Sequence, residues 1–95
     1  MQSVDFNLSE EATTLFEANV DSDKKVYTIV VSNETFVDKQ FSIGWDNQVL
    51  FNGTVPAQSV ASVLDGGIFS HEANEELSAI GDGLTLHMVF GEYHG

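Results

Sequence analysis

The sequence predicts an all-β protein, a small antiparallel β-sandwich or jelly-roll-like single domain with an irregular N-terminal arm. Three observations point to this class. Stretches rich in β-branched and aromatic residues recur along the 95 residues, turn residues separate them about every 8–12 positions, and little of the chain has helical periodicity. We place the arm at residues 1–11 and the sandwich domain at residues 12–95.

Three stretches predict individual strands most clearly. Residues 26–33, VYTIVVSN, are apolar at both parities, which is typical of a strand buried on both faces. In QFSIGW, the side chains of Phe41, Ile43 and Trp45 alternate with smaller or polar ones, so they share one face of a strand. The stretch from Leu84 to about Tyr93 alternates in the same way and predicts the last strand.

Glycine positions predict the connections between strands. The Asn52-Gly53 pair is the strongest short hairpin signal, because a type I′ turn needs positive φ at both central residues. The stretch DGG at 65–67 predicts a loop. The stretch GDG at 81–83 predicts a tight turn into the last strand, since glycine adopts positive φ without steric cost.

The charge balance limits the possible partners. Fifteen acidic residues face three lysines, for a formal net charge of −12. Binding to nucleic-acid phosphates needs a basic surface, so we expect no nucleic-acid partner and, for the same reason, no binding to anionic membranes. The acidity is explained either by solubility and self-repulsion or by a docking partner with basic patches, and both interpretations stay open.

Cysteine is absent, which excludes disulfides, thiolate zinc sites and cysteine nucleophiles. Small secreted domains usually depend on disulfides, so we expect folding inside the cell. The first residues show no basic segment followed by an apolar one, and no apolar run approaches the roughly 18 residues that a membrane span needs. We therefore expect neither a leader peptide nor a membrane anchor.

The candidate chemical groups form no recognisable catalytic or metal pattern. The three histidines, His71, His87 and His94, lack the HxH or HExxH spacing of a zinc site. Asp21 and Asp23 supply only two positions of a calcium loop, and lysines follow at once. The glutamate pairs are sequence neighbours and diverge, and no GxSxG occurs. We expect a protein that is not an enzyme and that binds no metal or cofactor.

Protein contact is the remaining role for the apolar and outward-facing residues. Trp45 shares the parity of its core-type neighbours and is assigned to the core or to an interface, with sugar stacking as the alternative. The second face of the last strand mixes polar and apolar side chains, which is typical of a face that meets a neighbour. The candidate partner-binding residues are Val4, Phe6, Leu8, Trp45, His87 and Val89.

The order of the elements between Val26 and Tyr93 resembles a known family. Val31-Ser32-Asn33 closes a strand, Val55-Pro56-Ala57-Gln58-Ser59 follows, and a segment from Leu77 to Leu86 with Gly81-Asp82 leads into the last strand. This order is similar to small β-sandwich structural proteins of tailed-bacteriophage virions, of the capsid decoration (cement) type. The chain departs from the family pattern at Gln58, where glycine is usual, and after Asp82, where a further glycine precedes the strand.

The resemblance implies a non-enzymatic virion protein. Such a protein folds in the host bacterial cytoplasm, binds the major capsid protein on the outer head surface and bridges its subunits, often as a homotrimer. We expect the arm to become ordered on binding, so that deleting residues 1–10 weakens capsid binding without unfolding the domain. The alternatives are a tail, fibre or receptor-binding module that recognises a surface glycan, and a cellular β-sandwich adaptor or calcium-binding domain.

Overall fold

The computed structural model describes residues 2–16, 23–45, 48–71 and 76–93, with side chains described in these ranges except at 23–24, 45, 65–71 and 92–93. The described residues form eight β-strands and no helix, and so no helix able to cross a lipid bilayer. The strands are β1 Gln2–Asn7, β2 Thr13–Phe16, β3 Asp23–Asn33, β4 Lys39–Trp45, β5 Gln48–Val55, β6 Ser59–His71, β7 Leu77–Ile80 and β8 Leu84–Tyr93.

The strands form two four-stranded sheets with the orders β1-β8-β3-β6 and β2-β7-β4-β5. Every pairing is antiparallel. The chain changes sheet at each connection except the one between β4 and β5, and this is the strand order of a jelly roll. The all-β sandwich class that the sequence predicts is confirmed.

The core lies between the sheets and consists of the inward side chains of each strand. Ile29 and Val31 of β3, Leu86 and Met88 of β8 and Ile43 of β4 are all fully buried. Because side chains alternate between the two faces of a strand, the residues between these point outward. In β3 the outward residues are only half-buried, so the strand is not buried on both faces as its sequence suggests.

An irregularity in β3 explains its apolar run at both parities. Val26 pairs with Phe90 and Thr28 pairs with Val89, so Tyr27 is an extra residue on the β3 side. A β-bulge of this kind shifts the alternation by one residue. Val26 and Ile29 therefore both face the core, although their odd spacing would place them on opposite faces of a regular strand.

The N-terminal segment is not an irregular arm. Residues 2–7 form β1, which pairs with β8 from Gln2 opposite Phe90 to Asn7 opposite Thr85. The prediction of an irregular arm was based on the polar residues of this segment. In the structure those residues lie on the solvent-facing side of an edge strand. The inward positions, Val4 and Phe6, pack against the core.

Two predicted connections are instead strand. Asn52-Gly53 lies within β5, where Gly53 pairs with Phe41 of β4 and has no positive φ. A Cβ atom at Gly53 would be 3.3 Å from the Phe41 ring, so the ring covers a strand glycine. The DGG stretch lies within β6, where the register moves from Asp65 opposite Thr28 to Phe69 opposite Val26. The glycines accommodate this bulge rather than ending the strand.

Candidate functional site: the loop end

Four connections meet at one end of the sandwich, which we call the loop end: residues 8–12, 34–38, 56–58 and 81–83. The strand registers bring them together. Asn33, the last residue of β3, lies opposite both Leu84, the first residue of β8, and Ser59, the first residue of β6. Lys39, the first residue of β4, lies opposite Val55, the last of β5. All four connections therefore start and finish on the same side.

A buried asparagine holds the 34–38 loop in place. The side chain of Asn33 is 1% exposed, and its Nδ2 donates hydrogen bonds to the carbonyl oxygens of Val37 at 2.8 Å and Val55 at 2.9 Å. Its Oδ1 accepts hydrogen bonds from the backbone N–H and the hydroxyl of Thr35, at 2.9 Å and 2.6 Å. All donor and acceptor positions of the amide are thus satisfied, as a buried amide requires.

Gln58 holds the same loop from the other side. Its backbone N–H donates to the carbonyl of Thr35 at 3.1 Å, and its side-chain Nε2 donates to the carbonyls of Glu34 and Thr35. Its φ of 56° is in the left-handed region, which is unfavourable for a side chain with a Cβ atom. The side-chain hydrogen bonds offset the cost of this backbone conformation.

Further contacts connect the remaining loops. The Asp38 carboxylate accepts a hydrogen bond from the Ala57 N–H at 3.0 Å, and Lys39 Nζ is 3.8 Å from Asp82 Oδ2. Gly81 N–H donates to the carbonyl of Ser9 at 2.9 Å. Gly83 has a φ of 80°, which confirms the predicted tight turn into β8. The loop end is therefore a cross-braced surface rather than a set of independent loops.

This frame presents three exposed apolar side chains to solvent. Phe36 is 88% exposed, Val37 is 57% exposed, and Val60 at the start of β6 is 66% exposed. We call these three residues the apolar tip. Val60 also lines a cleft of about 150 Å³ together with Glu34, Gln58 and Ser59. A phenylalanine that is 88% exposed adds little to the free energy of folding, which makes the apolar tip a candidate contact surface.

The connections of the loop end carry mainly negative charge. Five exposed carboxylates belong to the loop end, those of Glu10, Glu11, Glu34, Asp38 and Asp82. Lys39 is the one cation at its border, so the formal charge of this region is −4. Lys39 is engaged with Asp82. No described cation lies within ion-pair distance of the Glu10, Glu11 or Glu34 carboxylates.

The candidate residues of the N-terminal segment do not form a free surface. Leu8 is buried and belongs to the core, and Val4 and Phe6 are partly buried and pack against it. Partner contact by Leu8 would require β1 to leave its sheet. The apolar side chains predicted partner contact because the segment was expected to be an arm without a partner strand. In the structure they face the core from an edge strand.

The other candidates lie elsewhere on the molecule. His87 and Val89 are on the outer face of β8, where His87 Nδ1 is 2.5 Å from the Asp5 carboxylate on the neighbouring β1. Val89 is half-buried on the same face. The side chain of Trp45 lies outside the described residues; its backbone pairs with Gln48 and Leu77. The structure does not bring these three residues together with the N-terminal candidates into one site.

No cluster of three or more metal-ligating side chains occurs among the described residues. The calcium candidate Asp21 and the histidine His94 lie outside the described residues, as do the side chains of Asp23 and His71. A shallow depression of about 380 Å³ crosses the outer face of β4 and β5. It is lined by uncharged polar groups, with Phe41 and Gly53 beneath: Gln40, Ser42, Asn52 and Thr54.

Comparisons with protein-family models, with curated proteins and with solved structures found no match to this chain. Interpretation of the loop end therefore depends on its own residues. Phe36 is not among the candidate residues that the sequence indicated. The signal available was the apolar pair Phe36-Val37 in a connection whose other residues are polar, since such a pair is exposed unless another element covers it.

Proposed function

We propose that this chain is a non-enzymatic structural protein of a bacteriophage virion, a capsid decoration protein that binds the major capsid protein on the outer head surface. The observation that carries the proposal is the apolar tip, with Phe36 88% exposed on a hydrogen-bonded loop. A jelly roll is one of the architectures that viral capsid domains use, which is an argument from fold analogy. The resemblance of the strand and turn order to decoration proteins points in the same direction.

The loop end suits a bridging role better than a catalytic one. A decoration protein needs a preorganised surface that binds a folded partner with little loss of conformational freedom. The Asn33 and Gln58 hydrogen bonds provide this preorganisation at Phe36. Association as a homotrimer would present three such tips to neighbouring capsid subunits, and the avidity of three sites would compensate for the small area of each.

Co-sedimentation with undecorated heads of the source phage tests the proposal. We expect saturable binding, with a stoichiometry that matches the symmetry axes of the shell, and an increased resistance of the heads to heat or to dilution. Heads that have already received the protein serve as the control for non-specific adsorption. Failure to bind, with the protein recovered in tail fractions or absent from the particle, would contradict the decoration role.

A tail or receptor-binding module that recognises a glycan is the second candidate. The depression on β4 and β5 favours it, because its amide and hydroxyl groups are suited to hydrogen bonding with sugar hydroxyls and it contains no charge. A glycan array probed with the wild-type chain, Asn52→Ala and Trp45→Ala tests this function. Binding that both substitutions abolish would support it, and no binding to any glycan would exclude it.

A further inference from the structure

We infer that the loop end binds an apolar pocket rimmed by lysine and arginine residues on a virion protein, with Phe36 as the inserted side chain. This inference rests on the proposed function only in taking the partner to be a protein of the same particle. It assigns the contact to residues that the sequence candidates did not include, and it specifies the chemistry of the partner surface.

The exposure and bracing of Phe36 indicate an inserted anchor. Interfaces derive most of their binding energy from a few aromatic or arginine side chains that enter pockets, surrounded by contacts that exclude water. Phe36 is followed by Val37, whose carbonyl accepts the Asn33 hydrogen bond. The anchor is therefore held by the core of the domain, and little backbone freedom remains to be lost on binding.

The charges of the loop end define the rim of the partner pocket. Together with the bordering Lys39, the loop end carries a formal charge of −4, and like charges facing one another across an interface are unfavourable. A partner surface that covers these carboxylates must therefore supply cations. Lipid headgroups and nucleic acid are excluded as occupants, since a phosphate surface would meet five carboxylates.

The cleft beside Glu34 fits a single basic side chain of that rim. It has a volume of about 150 Å³ and is lined by Glu34, Gln58 and Ser59, with Val60 forming an apolar wall. This combination suits an arginine or lysine, whose aliphatic part packs on an apolar surface while its charged group contacts a carboxylate. Glu34 has no described cation partner, so its carboxylate is available for this contact.

Two pairs of matched variants separate the roles of the anchor and the rim. Phe36→Ala truncates the anchor, and Val49→Ala truncates another exposed apolar residue, 56% exposed on β5. Glu34→Gln removes one charge in the cleft, and Glu76→Gln removes one charge from an exposed residue outside the loop end. None of the four residues is in the core, and thermal unfolding followed by circular dichroism verifies that each variant is folded.

Each variant is titrated against purified undecorated heads and, separately, against purified tails, at low and at high sodium chloride. For the fraction that binds the wild-type chain, we expect Phe36→Ala to weaken the affinity about 30-fold or more. We expect Glu34→Gln to lower the association rate about threefold at low salt, with the difference disappearing as salt screens the charges. The two control variants should bind like the wild type.

The outcomes distinguish the inference from the proposed function. Binding to heads that is unaffected by Phe36→Ala would overturn the inference and leave the decoration role standing. Binding to tails alone, with loss in Phe36→Ala, would support the inference and contradict decoration. An affinity that increases with salt, or a faster association of Glu34→Gln, would overturn the basic rim. Binding to neither fraction would overturn both.

Discussion

Replacing Asn33 with aspartate removes two hydrogen-bond donors from the loop end while keeping the size of the side chain. The Val55 carbonyl, which accepts a buried bond at 2.9 Å, loses this donor, and the partly buried carbonyl of Val37 keeps only the Thr35 hydroxyl, at 2.9 Å. A buried acceptor left without a donor costs about 1–3 kcal/mol. A carboxylate facing these two oxygens adds electrostatic repulsion and the cost of burying a charge.

The combined loss of free energy is large for a domain of this size. We expect Asn33→Asp to lower the free energy of unfolding by about 3–5 kcal/mol at pH 7. At about 0.05–0.15 kcal/mol per residue, a domain of 95 residues has a total stability of about 5–14 kcal/mol. The variant should therefore lose at least about a fifth of its stability. Urea denaturation followed by far-ultraviolet circular dichroism measures the loss.

The pH dependence of this loss identifies its cause. Burial and the facing carbonyls raise the pKa of the introduced carboxyl above its unfolded value of about 3.9. The folded variant then binds a proton at a higher pH than the unfolded variant does. Its deficit relative to the wild type is largest above the folded pKa and shrinks as the pH falls towards 3.9.

Asn52→Asp is the matched control, because it makes the same chemical change at an exposed position on β5. We expect it to alter the stability by about 0.5 kcal/mol or less, with no comparable pH dependence. Equal denaturation midpoints for the two variants at every pH would refute the assignment of Asn33 as the residue that holds the loop end together.

Two further predictions concern local structure. Gln58→Ala should destabilise the domain by about 1 kcal/mol, because it loses two side-chain hydrogen bonds and keeps the unfavourable φ. Gln58→Gly loses the same bonds, but glycine adopts the positive φ without steric cost, so this variant should be about 1 kcal/mol more stable than Gln58→Ala. Equal urea midpoints for the two variants would contradict this. Deleting residues 1–10 removes β1 and the side chains of Val4, Phe6 and Leu8 from the core. At about 1.5–3 kcal/mol for each fully buried side chain, and less for the two partly buried ones, the loss is about 4 kcal/mol. The melting temperature should fall by about 15–30 °C, and a truncated chain that melts like the wild type would show that β1 is dispensable.

The sequence by itself determined the fold class and the positions of β3, β4 and β8, because alternation of side chains is a short-range property of an extended chain. The last strand was predicted from Leu84, where β8 begins. Gly83 illustrates the same point for turns, since its positive φ is required locally and does not depend on distant residues. These features can be inferred without knowing which strands are neighbours.

Only the tertiary structure decided the features that depend on a neighbouring element. Residues 2–7 form a strand because they pair with the edge of β8. Asn52-Gly53 stays extended because β4 pairs with it and Phe41 covers the glycine. The amide of Asn33 finds its partners on β5 and on the 34–38 loop, and Phe36 remains exposed because no described element packs over it. Pairing, burial and exposure are relations between distant parts of the chain. The candidate site can therefore be identified only in the folded structure, where the two sheets bring its four loops together.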